Sequence, residues 1–194
     1  MKSTRRGAEG FDILNLSTKY RSRSLNSEDA EEILALYRSN PLYFQHCPPA
    51  PSEQSVMRDL TAVPEGWTGS KKHYLGFFEG SHLMAVLDLI EDFPHEDTVW
   101  IGLFMLDAGY SGHGSGTALI SDILIHLAGL GYRRVGLGYV RTNMQAKRFW
   151  EKNGFLPSVS VEEGEGEIQI LEKDLEGLCF KEEGEDRGRR SADG

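Results

Sequence analysis

Cysteine is nearly absent from this chain. Of 194 residues only Cys47 and Cys179 carry a thiol, far apart and without a CxxC or Cys/His cluster. That scarcity excludes a disulfide framework and a structural zinc site, no metal is expected, and a reducing cytoplasm is the default setting. Long apolar runs are missing as well. No stretch approaches the roughly 18 residues a membrane helix needs, so no membrane partner is expected. Met1–Gly10 has basic residues but no apolar stretch behind them, unlike a secretory signal. Positive charge is also in deficit: 21 Lys+Arg face 30 Asp+Glu, a net of −9. Taken globally, that speaks against nucleic acid and against anionic ligands. What is present, 39% hydrophobic and 26% charged residues over the length of one ordinary domain, suffices for a closed core.

The charge is unevenly placed. Glu162–Gly194 carries twelve acids and five bases, a net of −7, which leaves −2 for residues 1–161. Within that body, Gly131–Lys152 holds Arg133, Arg134, Arg141, Lys147, Arg148 and Lys152 against Glu151, a net of +5. Residues 181–194 contain one apolar side chain, Ala192. The composition therefore predicts a loose N-terminal segment over 1–10, one folded domain over 11–178 and an acidic disordered tail over 179–194.

Along the chain, Asn26-Ser27 and the acids behind them cap a helix that carries Ala30, Ile33, Leu34 and Tyr37 on one face and stops at Pro41. Leu42–Pro51 is rich in aromatics and proline and predicts a stiff non-helical connection. Val56, Leu60 and Val63 predict a helix from Ser52 to about Val63. Strands follow over His73–Phe78 and His82–Ile90, joined by the turn Glu79-Gly80-Ser81. A third strand spans Thr98–Asp107. Leu119, Ile120, Ile123, Leu124, Leu127 and Leu130 mark the buried face of a helix ended by Gly131. Arg134–Val140 reads as a strand, Asn143–Asn153 as a helix, and Val159–Glu162 with Glu167–Leu171 as a terminal hairpin. Its exposed edge is a pairing surface for a homodimer. The fold class is α/β, a mixed sheet of six or seven strands with about four helices.

Gly112-His113-Gly114-Ser115-Gly116 lies between a strand end and a helix start. Such a turn presents several N–H groups in one direction, where the helix dipole adds positive potential, and it predicts a phosphate cradle. Gly116 is followed by Thr117 with no lysine, so the Walker loop is excluded. The spacing is G-x-G-x-G rather than G-x-G-x-x-G, and Arg133 and Arg134 stand where a dinucleotide site has its acid, so that fingerprint fits poorly.

Leu106-Asp-Ala-Gly-Tyr-Ser-Gly-His-Gly-Ser-Gly-Thr-Ala-Leu119 resembles the acetyl-CoA signature of the GNAT N-acetyltransferases. Asn143-Met-Gln-Ala-Lys-Arg-Phe-Trp-Glu-Lys-Asn-Gly-Phe155 resembles that family's second block. The resemblance covers about Tyr20–Leu175. It implies an acetyl-CoA-dependent acyltransferase in which the pantetheine arm lies where two central parallel strands splay apart. It also implies an amine acceptor and direct transfer in a ternary complex. Ser111, Gly112, His113, Gly114, Ser115, Gly116 and Thr117 would then hold the pyrophosphate, and Met105 and Leu106 would offer main-chain contacts to the pantetheine and the oxyanion. Asn143 would bind the pantetheine amides and Phe149 would pack on the arm.

Two residues depart from the family pattern. Ser111 replaces an Arg/Gln, and Trp150 stands where many members have a tyrosine acid. An indole N–H is not a practical acid. These departures motivate the rival reading, a non-catalytic acyl-CoA sensor. An amine with a pKa near ~10 must lose a proton. The candidates for the base are Asp88, an acid inside an apolar strand that needs a partner there, and Glu91. Tyr139 is the candidate proton donor, and Tyr43, Phe44, His46 and Cys47 form an aromatic wall for the acceptor.

Overall fold

The computed structural model describes residues 16–64, 67, 71–158 and 167–178. The loose segment expected over 1–10, the first hairpin strand Val159–Glu162 and the tail expected over 179–194 lie outside the described residues.

Seven strands form one sheet: β1 (Arg21–Ser24), β2 (Lys72–Glu79), β3 (His82–Glu91), β4 (Thr98–Leu106), β5 (Arg134–Val140), β6 (Leu156–Pro157) and β7 (Ile168–Asp174). Their spatial order is β1-β2-β3-β4-β5-β7-β6. Every neighbouring pair is antiparallel except β4–β5 at the centre. The parallel pair requires a crossover, supplied by α4 (Ser115–Gly129). The other helices are α1 (Ala30–Arg38), α2 (Pro41–His46), α3 (Glu53–Asp59) and α5 (Met144–Lys152).

Two apolar layers sandwich the sheet. Leu119, Ile120, Ile123, Leu124 and Leu127 of α4 pack with Trp150 of α5 against Val99, Ile101, Val135 and Leu137. On the opposite face Ile33, Leu36 and Tyr37 of α1 and Val56 of α3 pack against Tyr74, Val86 and Met105. The three- and four-residue spacing in α4 delivers five buried side chains to one stripe, so tertiary burial fixes this helix. Gly131, at φ +87°, follows its end in the left-handed conformation that stops helices.

Three elements differ from the expectation. Pro41 does not merely end α1; it opens α2, because proline is tolerated in the first helical turn, where its missing N–H has no intrahelical acceptor. The Leu42–Pro51 connection is therefore helical in its first half. The helix expected over 52–63 is shorter, Glu53–Asp59, opened by a Ser52/Ser55 capping box. β1 carries no period-two apolar signal in RSRS and forms through backbone pairing with β2.

Candidate active site

Beyond β4, the Asp107 carboxylate accepts from the Gly109 amide at 2.8 Å and shapes a single helical turn over Ala108–Tyr110. The Tyr110 hydroxyl donates to Glu79 at 2.8 Å and ties this turn to β2. Gly112 and Gly114 then both take φ +83°, and nothing lies within 4 Å of where a Cβ would stand. Backbone conformation, not crowding, requires glycine at both positions. Gly114 is the N-cap of α4, makes no side-chain cap, and is followed by no acid in the first turn. The first intrahelical bond runs from the Ala118 amide to the Gly114 carbonyl at 3.0 Å. The amides of Ser115, Gly116 and Thr117 therefore have no intrahelical acceptor, and the dipole of a 15-residue helix adds positive potential there. Ser111 and His113 are exposed at the rim.

Gly116 plays a different part. A Cβ on it would meet Phe149 at 3.1 Å and Leu106 at 3.3 Å, so its smallness lets α4 begin pressed between β4 and α5. Below it an aromatic layer fills the space. Phe104 stacks on Phe149 with centroids 5.8 Å apart, and Trp150 sits edge-on to both Phe149 and Phe155 at 5.0 Å. Trp150 is buried and serves as packing in this layer.

The central parallel ladder is short. It pairs Thr98–Ile101 with Arg134–Leu137 and stops, while β4 runs on to Leu106 and β5 to Val140. The two strands thus part at Gly102. At the same point β4 carries a bulge: Asp88 pairs with Leu103 and Leu89 with Ile101, which leaves Gly102 as the extra residue. The bulge inverts the side-chain alternation. Val99 and Ile101 face α4, and beyond the bulge Phe104 and Leu106 do so, while Leu103 and Met105 turn to the α1 layer. The Asp107 amide donates to the Met84 carbonyl at 2.8 Å. Antiparallel alternation then directs the main chain of Met105 to β3 and the polar groups of Phe104 and Leu106 to the open edge. The Leu106 carbonyl accepts from Asn40 Nδ2 at 2.7 Å, which leaves the Phe104 and Leu106 amides as the donors on that edge.

On the α1 side, a cavity of about 140 Å³ opens at the parting point. Its walls are Tyr37 of α1, Tyr43 and Phe44 of α2, Asp59 of α3 with Ala62 beyond it, and Asp88, Gly102 and Leu103 of the sheet. Asp88 has the partner that an acid in an apolar strand demands: Lys72 Nζ donates to Oδ1 at 2.7 Å. Its other oxygen, Oδ2, faces Gly102, where a Cβ would come to 2.5 Å. Burial raises the Asp88 carboxyl above the ordinary carboxylate range, and the Lys72 ammonium only partly offsets this. Tyr37 donates to Asp59 at 2.9 Å and shares a 2.6 Å hydrogen bond with the Tyr74 hydroxyl. Burial holds Tyr37, Tyr43 and Tyr74 well above the usual phenol range, so all three stay neutral.

Several expectations change with this geometry. Glu91 is not at the parting point. It pairs with Val99 at the other end of β4, where it is hydrogen-bonded to His73 at 2.7 Å and to the Tyr132 hydroxyl. Burial pushes the Glu91 carboxyl up, but these bonds and Lys71 outweigh it and hold it low. Met105 is buried with its main chain in the β3 ladder, so of the pair expected to offer main-chain contacts only Leu106 faces the open edge, where Phe104 joins it. Phe104 was missed because the bulge at Gly102, which puts Phe104 and Leu106 on the same side as Ile101, exists only relative to β3. Asn143 is buried and spends its Oδ1 on the Ala146 amide, 3.0 Å away, as the cap of α5. Its Nδ2 is the group that could reach a ligand. Tyr139 lies on β5 past the parting point, half-buried against the α4 layer. His46 bonds Thr142 at 2.9 Å and joins α2 to the loop before α5. Asp59, Lys72 and Tyr37 were not singled out as site residues by the sequence, since each is an ordinary residue of its element until the fold brings them together.

Replacing Gly102 by Ala is expected to displace Asp88 Oδ2. On the acetyl-transfer reading proposed below, that displacement lowers turnover by about tenfold or more, with acetyl-CoA affinity held within about twofold because the glycine turn is untouched. Steady-state rates beside calorimetric titration of acetyl-CoA check this.

Residues 31–155 match the sequence model of the acetyltransferase (GNAT) family. The chain belongs to that family, whose members are acyltransferase enzymes. No curated protein matches the chain by sequence. Among solved structures, the acetyltransferase from Thermus thermophilus is similar, with a TM-score of 0.67 at 20% identity over 80% of this chain and 97% of that one. The PaiA N-acetyltransferase from Thermoplasma acidophilum, solved with coenzyme A, gives 0.60 at 19% identity over 80% and 98%. The ribosomal-protein-S18-alanine N-acetyltransferase from Escherichia coli gives 0.56 at 15% identity over 80% and 94%. These likenesses establish the fold. No helix among the described residues is long and apolar enough to cross a membrane.

Proposed function

We propose that this protein moves an acetyl group from acetyl-CoA to a primary amine by direct transfer in a ternary complex. The observation that carries the reading is the parting of β4 and β5, flanked by an uncapped glycine cradle on the α4 side and by the Asp88 cavity on the α1 side. The cradle suits a pyrophosphate: two left-handed glycines without Cβ atoms precede three amides that lack intrahelical acceptors. Gly112, Gly114, Ser115, Gly116 and Thr117 would hold it, with Ser111 and His113 at the rim. The Phe104 and Leu106 amides, Asn143 Nδ2 and the Phe149 ring would hold the arm.

When bound, acetyl-CoA supplies a thioester-activated acyl carbon and a thiolate leaving group. The amides on the open edge of β4 are donors suited to an oxygen that gains negative charge. Asp88 Oδ2 takes the proton that the acceptor ammonium must lose before its nitrogen forms the C–N bond. A carboxyl raised by burial is a better base for this than an ordinary one. Tyr139 is the proposed donor to the departing sulfur. The near absence of cysteine supports a cytoplasmic setting.

Calorimetric titration with acetyl-CoA, joined to a thiol-release assay over a panel of amines, tests the proposal. Saturable binding and turnover above background hydrolysis support it. Absence of binding at millimolar ligand removes it. Binding without turnover on any amine favours the sensor reading that Ser111 and Trp150 motivate.

A further inference from the structure

The cavity beside Gly102 is lined unevenly. Asp88 is matched by Lys72, whose ammonium lies 2.7 Å from Oδ1, with both side chains largely buried. Among the described residues Asp59 has no comparable partner. Arg58 Nε stands 3.9 Å away on a side chain that is 66% exposed, a separation at which such pairs contribute little. The Tyr37 hydroxyl donates to Asp59, which fixes the carboxylate without neutralising it. The Asp59 side chain is 34% exposed against 13% for Asp88, so Asp59 stands nearer the mouth and Asp88 nearer the floor. Tyr43 and Phe44 also line the cavity, and they touch each other edge to face with centroids 5.1 Å apart, so they form one aromatic wall. A volume of about 140 Å³ is room for roughly four to five water-sized groups, enough for an ammonium and a short methylene stem.

We infer that the acceptor is a cationic alkyl amine, and that Asp59 is the residue that selects it. The inference rests on the acetyl-transfer reading and narrows its substrate class. The acceptor's methylene chain lies along the wall that Tyr43 and Phe44 form, and the positive charge it brings is met at the mouth by Asp59. The nitrogen that reacts is delivered to Asp88 at the floor. Aromatic walls add cation–π attraction to the same choice. A neutral aryl amine lacks the charge, and a peptide N-terminus brings a carbonyl oxygen beside its nitrogen that the two carboxylates repel, and holds its proton less firmly than an alkyl amine. A free diamine and a lysine side chain share the required chemistry.

Thiol release at saturating acetyl-CoA is measured with 1,5-diaminopentane, with an N-acetylated peptide carrying one lysine, with a lysine-free peptide having a free N-terminus, and with aniline. The first or second acceptor is expected to exceed the last two by at least about tenfold in kcat/KM. Preference for the diamine identifies a small-molecule source, and preference for the lysine peptide a protein source; either supports the inference. Asp59→Asn should raise KM for the preferred acceptor roughly 10- to 100-fold, the range for losing a charged hydrogen bond, with kcat nearly unchanged. Asp59→Glu should restore most of it.

The wild-type protein gives a second readout that needs no variant. KM for the cationic acceptor should rise with added salt as the field of Asp59 is screened. The inference is overturned if the lysine-free peptide or aniline is preferred, if KM is unchanged in folded Asp59→Asn, or if KM is insensitive to salt. Acetyl-CoA titration separates the two levels. Intact binding with the wrong acceptor preference removes only this inference, whereas absent binding removes the acetyl-transfer reading and this one with it.

Discussion

Gly114→Glu is expected to weaken acetyl-CoA binding by at least about 30-fold, or roughly 2 kcal/mol, while the protein remains folded. The backbone at Gly114 takes φ +83°, a conformation that disfavours any side chain with a Cβ by roughly 1–2 kcal/mol. Relief of that strain turns the amides that precede and open α4 away from their common direction. The new carboxylate also stands at the helix N-terminus, where the dipole stabilises it by up to about 1 kcal/mol and where it competes with a phosphate for the same donors. These two effects oppose each other in stability and add against binding. Thermal melting should therefore move by only a few degrees while calorimetric affinity collapses. Unchanged affinity would show that the glycine turn is not the anion site. Gly116 is unsuitable for this test, since a Cβ there meets Phe149 and Leu106 and disturbs the fold itself.

Asp88→Asn is expected to lower kcat by roughly 100- to 1,000-fold, within the range for removal of a general base, with acetyl-CoA affinity unchanged. The pH profile carries the diagnosis. The wild-type rate should climb with pH as Asp88 loses its proton, with a midpoint above the ordinary carboxylate range because burial raises this group. The variant should lose that acidic limb. The sign for stability runs the other way. Folding favours the protonated form of a carboxyl whose pKa is raised. Its contribution is therefore fullest below the ordinary carboxylate pKa and declines as pH rises through the raised value.

The substitution also strands Lys72, whose side chain is only 10% exposed, and breaking a buried pair in this way costs about 3–5 kcal/mol. Rates are therefore measured well below the melting transition, and Lys72→Met in the same background removes the stranded charge. Recovery of melting temperature without recovery of kcat is the expected result. Recovery of both would assign Asp88 a structural role only.

Much of the fold was legible in the sequence because the signals were local. The stripe from Leu119 to Leu127 repeats at helical spacing and needs no partner to be recognised. Three glycines in five residues between a strand and a helix mark a backbone requirement that the φ values of Gly112 and Gly114 bear out. The net charge of −9 needed only to be divided along the chain to show a basic stretch over Gly131–Lys152. β1 was illegible because RSRS has no apolar face, and α2 because proline at a helix start reads the same as proline at a helix stop.

The site was legible on one side only. The sequence by itself determined the glycine turn that opens α4, since glycine dihedral freedom and helix polarity are properties of a few consecutive residues. It also determined that Asp88, an acid among aliphatics, must have a partner. Tertiary structure alone decided who that partner is, since Lys72 lies on the neighbouring strand, 16 positions earlier. It decided too where the strands part, which amides face the gap, and that Asp59, Tyr37 and Tyr43 meet Asp88 around one cavity. One inserted residue at Gly102 inverts the alternation of β4, and no count along the chain reveals it, because a bulge exists only relative to the strand beside it.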